Sequence, residues 1–193
     1  MENDVAALLA RHTEALALFT DRVHSVQADQ WDDPTPCTDW SVRDLVNHLT
    51  GEQLWVPDLV SDGATIEDIG DSYDGDVLGR NPRATWDAAA RAARKAFAAE
   101  GALEQTVELS YGETPAVAYC AQMITDAVVH TWDLSRAIGA DERLPDVLVH
   151  FALDEVTPYA AGLSKSGLFA APIEPPPGDS PQTRLLALLG RRA

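Results

Sequence analysis

The stretch Val117-Ala118-Tyr119-Cys120-Ala121-Gln122-Met123-Ile124-Thr125-Asp126-Ala127-Val128-Val129-His130-Thr131-Trp132-Asp133-Leu134-Ser135-Arg136-Ala137-Ile138 decides the architecture. Val117, Cys120, Ile124, Ala127, Val128, Thr131, Leu134 and Ile138 recur at three- and four-residue steps, the period of a helix with one buried face. Thr114 reads as its cap, Pro115 suits a first helical turn, and Gly139 is a stop. Two polar residues interrupt the apolar run. Asp126 and His130 are one turn apart and project from one face. A carboxylate and an imidazole so placed can share a metal ion, or can simply stabilise the helix.

A third ligand has to come from a facing helix. Ser41 reads as an N-cap, with Asp44 completing a capping box, and a helix follows from Val42 to about Val60. Its stripe is Val42, Leu45, Val46, Leu49 and Val56, and Pro57 predicts an end or kink. His48 lies at the edge of that stripe. A lone mid-helix histidine more often packs than binds metal, but His48 is the one that stands beside a core stripe on a second helix. His48, Asp126 and His130 would leave a coordination position open, as catalytic sites do. Glu52, one turn after His48, reads as a general base, an outer-sphere group or a plain surface residue. Asp133 is placed to hydrogen-bond a ligand histidine or to sit beside Arg136. Trp40, Trp55 and Trp132 either wall a pocket or fill the core.

Elsewhere, Val5 to Gln27 reads as a helix with Val5, Leu8, Leu9, Ala15, Leu16, Phe19 and Val23 inward. Trp31 to Trp40 contains two prolines and reads as irregular. Cys37 in that loop reads as a small buried residue, with no sign of a Cys-His dyad around it. His12, His24 and His150 have no partner at ligand spacing and read as surface or core. Ser61 to Asn81, rich in Gly and Asp, reads as a surface loop. Pro82 to Glu100 reads as an alanine-rich helix anchored by Trp86 and Phe97. Gln105 to Leu109 alternates and predicts a short strand or hairpin, with Tyr111-Gly112-Glu113 as the turn. Pro145 to Leu163 and Thr183 to Leu189 read as helices, joined through a proline-rich linker from Pro172 to Pro181. The expected fold is mainly all-α, a four-helix bundle with a short β-hairpin and a small C-terminal extension. Residues 1–165 form the metal-binding bundle domain in this reading, and residues 166–193 the linker and terminal helix.

The 193 residues suit one domain. With 31 acidic against 14 basic residues the formal charge is −17, which repels nucleic-acid backbones and anionic membranes. Cys37 and Cys120 make no disulfide framework. The start Met1-Glu2-Asn3-Asp4 has no basic region before an apolar run, and no stretch of ~18 apolar residues follows. A cytoplasmic location is expected.

The segment Pro34-Thr35-Pro36-Cys37-Thr38-Asp39-Trp40-Ser41-Val42-Arg43-Asp44-Leu45-Val46-Asn47-His48-Leu49 resembles a known family, as does Asp126-Ala127-Val128-Val129-His130-Thr131-Trp132-Asp133-Leu134. Both resemble the mycothiol-dependent maleylpyruvate isomerase N-terminal family, within the wider DinB-like metal-binding bundles. The ending Arg184-Leu185-Leu186-Ala187-Leu188-Leu189-Gly190-Arg191 is similar to that of its small actinobacterial members. The resemblance implies a bundle holding one divalent metal, usually zinc, on His48, Asp126 and His130. Two departures point away from maleylpyruvate itself as substrate. The isomerase has glutamate where this chain has Asp126, and it carries a larger C-terminal domain.

The implied function is a metal-dependent isomerase or transferase that uses mycothiol, a low-molecular-weight thiol, on a small electrophile. Its partners would be that thiol and that electrophile, and the expected assembly is a homodimer. The alternatives are a non-catalytic metal-binding protein and a metal-dependent hydrolase with Glu52 or Asp133 as general base.

Overall fold

The computed structural model describes residues 2–160, 162–163, 170–175 and 178–193. The helices are α1 (Glu2–Ser25), α2 (Val42–Val60), α3 (Ile66–Ile69), α4 (Pro82–Phe97), α5 (Ala116–Ala137), α6 (Asp146–Val156) and α7 (Pro181–Leu188). A 3-10 turn, Ala102–Glu104, precedes β1 (Thr106–Leu109) and β2 (Gly112–Pro115). The fold is mainly α with one antiparallel hairpin, in which Val107 faces Thr114. Among the described residues, no helix is long and apolar enough to cross a membrane.

The apolar stripes meet in one core. Helix α2 packs on α4, α1 packs on α5, and both pairs join through α1–α4 and α2–α5 contacts. Phe19 and Trp86 meet edge to face at 4.7 Å, and the Trp86 indole N–H donates to Thr20 Oγ1 at 2.8 Å. Each large side chain so buried contributes about 1.5–3 kcal/mol. Two expected inward residues are outside it: Val5 is 37% and Val117 is 41% exposed. They sit at helix N-terminal turns, where the neighbouring elements no longer cover the stripe.

The Ser41 cap forms as expected. Asp44 N–H donates to Ser41 Oγ at 3.2 Å, and Ser41 N–H donates to an Asp44 carboxylate oxygen at 3.0 Å. Pro57 neither ends nor interrupts α2, which runs on to Val60. Val56, Leu59 and Val60 are buried around it, so packing holds the last turn. The 61–81 stretch contains α3, started by a second capping box between Thr65 and Asp68. Thr114 and Pro115 belong to β2 rather than to α5, because their backbone pairs with Thr106 and Val107. Helix α6 ends at Val156, short of Leu163. The 165/166 boundary lies outside the described residues.

The 26–41 segment lies along the start of α2. Val42 N–H donates to Asp33 O, and Arg43 N–H to Trp31 O, each at 2.9 Å. Thr35 and Trp40 close the loop through a 3.0 Å backbone bond, with Asp39 at φ +66. Cys37 lies within this loop, its N–H donating to Thr35 Oγ1 at 3.1 Å. At the far end, α7 packs against α6 and buries Leu185 and Leu186.

Candidate metal centre

Helices α2 and α5 bring His48, Asp126 and His130 together. One ligand-type atom from each lies within 4.8 Å of the others. His130 Nε2 is 3.3 Å from one Asp126 oxygen, and His48 Nε2 is 3.6 Å from the other. The two imidazoles lie 5.3 Å apart, centre to centre, at 76°. Trp40 covers them, with its ring 4.9 Å from His48 and 6.1 Å from His130. Among the described residues, no ring contact joins Trp55 or Trp132 to these imidazoles. Trp55 pairs with Tyr73, and Trp132 lies buried beneath Arg136.

Asp126 tests whether a cation fits here. Its Oδ2 is buried and accepts no hydrogen bond. An orphaned carboxylate oxygen facing two imidazoles is costly unless a cation meets it. Without a metal ion, a proton on His130 serves that purpose. Burial opposes a charged ring, but Asp126 and Asp133 outweigh it and hold His130 well above the ordinary histidine range. Burial also opposes the Asp126 anion, yet His130 and His48 keep its carboxyl far below the usual value. The donor set, two imidazoles and a carboxylate, suits a divalent transition ion with an open position.

Asp133 is fully buried and accepts from His130 Nδ1 at 2.9 Å. Burial would raise its pKa, but the His130 bond and the Arg191 charge bring it down to about 2. Arg136, the other partner considered for it, is engaged with Glu142 at 2.7 Å. Asp133 therefore stands behind His130, on the ring edge opposite the one that faces Asp126. Glu52 is partly buried on α2; burial first, then the Asp126 charge, push its carboxyl upward. The charges of Asp126, His48 and His130 all act on it.

Two residues escaped the sequence reading. Cys37 is no inert core residue. It is half-buried, and its Sγ lies 3.3 Å from an Asp133 oxygen and 3.8 Å from His130 Nδ1. Arg191, after α7, reaches Asp133 at 2.8 Å. Neither has a periodic signal, because each arrives from irregular backbone. His12 is buried against Phe97, while His24 is exposed and paired with Asp87 at 2.9 Å.

Two uncharacterized proteins of Mycobacterium tuberculosis, one from each of two strains, are 34% identical to this chain over 195 residues. The matches cover 95% of this chain and 97% of each relative. Among solved structures, a histidine-to-alanine mutant of the mycothiol-dependent maleylpyruvate isomerase superposes with a TM-score of 0.64 at 14% identity. That match spans 79% of this chain and 69% of the isomerase, and it agrees with a mainly α, DinB-like fold. The family model of the mycothiol maleylpyruvate isomerase N-terminal domain matches residues 12–135, which include His48, Asp126, His130 and Asp133. The chain belongs to the mycothiol maleylpyruvate isomerase N-terminal domain family.

Proposed function

We propose that this protein is a metal-dependent enzyme that uses mycothiol on a small electrophile, by isomerisation or S-transfer. The observation that carries the reading is the meeting of His48, Asp126 and His130 around a buried Asp126 oxygen with no hydrogen-bond partner. His48, Asp126 and His130 would hold one divalent ion, zinc by family resemblance. Such an ion favours the thiolate over the thiol at neutral pH.

The chain's own residues supply the rest. Asp126 offsets cationic charge between the two imidazoles. Asp133 accepts the Nδ1 proton of His130 and so keeps Nε2 directed at Asp126. Trp40 shields the two imidazoles from water. Glu52, with its carboxyl pushed upward by burial, lies within electrostatic reach of all three residues and is the group placed to move a proton to or from the substrate. Maleylpyruvate is not the favoured electrophile, because Asp126 shortens the acidic ligand.

The test is cobalt substitution followed by mycothiol. A sulfur-to-cobalt charge-transfer band should appear on adding the thiol, in the native chain and in Cys37→Ser, with release of about one proton per site. A spectrum that responds to acetate or phosphate but to no small thiol would move the reading to hydrolysis or simple metal binding.

A further inference from the structure

The His130 ring presents two edges, and each faces a carboxylate. Nε2 faces Asp126 at 3.3 Å, and Nδ1 faces Asp133 at 2.9 Å. On the Nδ1 side Cys37, His130 and Asp133 make a second group of three whose ligand-type atoms also lie within 4.8 Å. A thiol, an imidazole and a carboxylate are, by donor softness, at least as good a set for a zinc-like ion as the first group.

A resident cation distinguishes them. The Arg191 guanidinium donates from Nη2 to Asp133 Oδ2 at 2.8 Å and from Nε to Oδ1 at 3.2 Å. The same Nη2 lies 3.6 Å from Cys37 Sγ. Arg191 is thus bound to two members of the second group at once. At the first group Asp126 Oδ2 is left without a hydrogen bond.

The backbone holds Arg191 in place. Arg191 N–H donates to Leu186 O and its Nη1 to Leu189 O, each at 2.8 Å. Leu185, Leu186 and Leu189 are buried beneath it. Gly190 turns the chain at φ +77, where a Cβ would stand 2.5 Å from Ala170 Cβ.

We propose that Arg191 fills, with its own guanidinium, the cation position of the Cys37–His130–Asp133 triad and so decides which edge of His130 a metal ion uses. A divalent ion entering that triad would meet the guanidinium at close range in a buried setting, a repulsion that one carboxylate does not offset. Asp133 is therefore committed to Arg191 and to the His130 Nδ1 proton. Nε2 is the nitrogen left for a metal, beside His48 and Asp126. The inference builds on the metal reading above, but its own claim concerns the opposite edge of the ring.

The experiment is cobalt titration of the full chain with no small thiol present. It compares wild type, Arg191→Lys, Arg191→Met and Arg191→Met/Cys37→Ser, with circular dichroism to confirm folding. Wild type and Arg191→Lys should bind cobalt without a sulfur-to-cobalt band. Arg191→Met should gain that band, and the double variant should lose it. A band in wild type, Arg191→Met binding cobalt without one, or no cobalt bound by either would overturn the proposal. Cobalt bound only by Arg191→Met, through Cys37, would support it while removing the metal reading at His48. Should Arg191→Met fail to fold, Cys37→Ser in the wild-type background decides. Cobalt affinity within about threefold of wild type supports a Cys37 kept out of the metal sphere, and a tenfold loss overturns it.

Discussion

Nδ1 of His130 lies 2.9 Å from Oδ2 of Asp133, three residues along the same helix, while Asp133 is also bound by Arg191. One buried carboxylate thus fixes a histidine and neutralises a guanidinium. Asp133→Ala releases the ring and strands a buried Arg191. We expect metal affinity to fall by about 10–100-fold. Unfolding free energy should drop by about 3–5 kcal/mol, because a charge is left buried without its partner. Cobalt titration and urea denaturation read the two effects separately. Normal stability with normal affinity would show that Asp133 orients nothing.

The proposed ligands predict a different pattern. His48→Ala and His130→Ala should each lose bound metal by elemental analysis yet keep helical circular dichroism, since the apolar stripes of α2 and α5 are untouched. Asp126→Asn keeps the shape but removes the anion. Its metal affinity should weaken at least tenfold, or about 1.4 kcal/mol. Full occupancy in both histidine variants would remove the assignment.

His12 sets a pH dependence in the metal-free protein. Burial, aided by the Arg94 charge, lowers it from 6.5 to about 4. The folded state therefore holds a neutral imidazole where the unfolded chain takes up a proton. Its contribution is full above pH 6.5 and is lost as pH falls from there toward about 4. The loss should reach roughly 3 kcal/mol. Urea unfolding at pH 7 and pH 4.5, with a chelator present, should show a smaller drop for His12→Leu than for wild type. Equal drops would mean that His12 titrates normally.

Gly190→Ala tests how firmly Arg191 is seated. The substitution places a side chain at φ +77 and against Ala170. Strain of this kind costs about 1–3 kcal/mol. Thermal unfolding should record that loss, and cobalt binding should acquire part of the sulfur character expected of Arg191→Met. An unchanged unfolding profile would show that the turn relaxes freely.

The legible parts of the molecule were the ones with a period or a cap. Asp126 and His130 stand out because they break an apolar stripe at helical spacing, and His48 because Ser41 and Asp44 fix the register of its helix. Thr65 and Asp68 form the same capping pattern, yet the Gly and Asp around them dominate the composition and point to a loop. At Pro57 local chemistry favours a break, yet the helix runs on to Val60, with Leu59 and Val60 buried. Cys37 and Arg191 reach Asp133 across 96 and 58 residues, from a loop and from beyond a short helix. Contacts of that kind depend on how elements dock, and no local pattern announces them.

The placement of the candidate ligands bears on how the chain would come apart. Asp126 and His130 are neighbours on one helix, whereas His48 sits on another helix far upstream. A metal ion held by all three would cross-link α2 to α5. The pair on α5 can form as soon as that helix does, but His48 joins only when the two helices have docked. Bound metal would then act chiefly on the escape rate from the native state, lengthening its lifetime more than it hastens its formation.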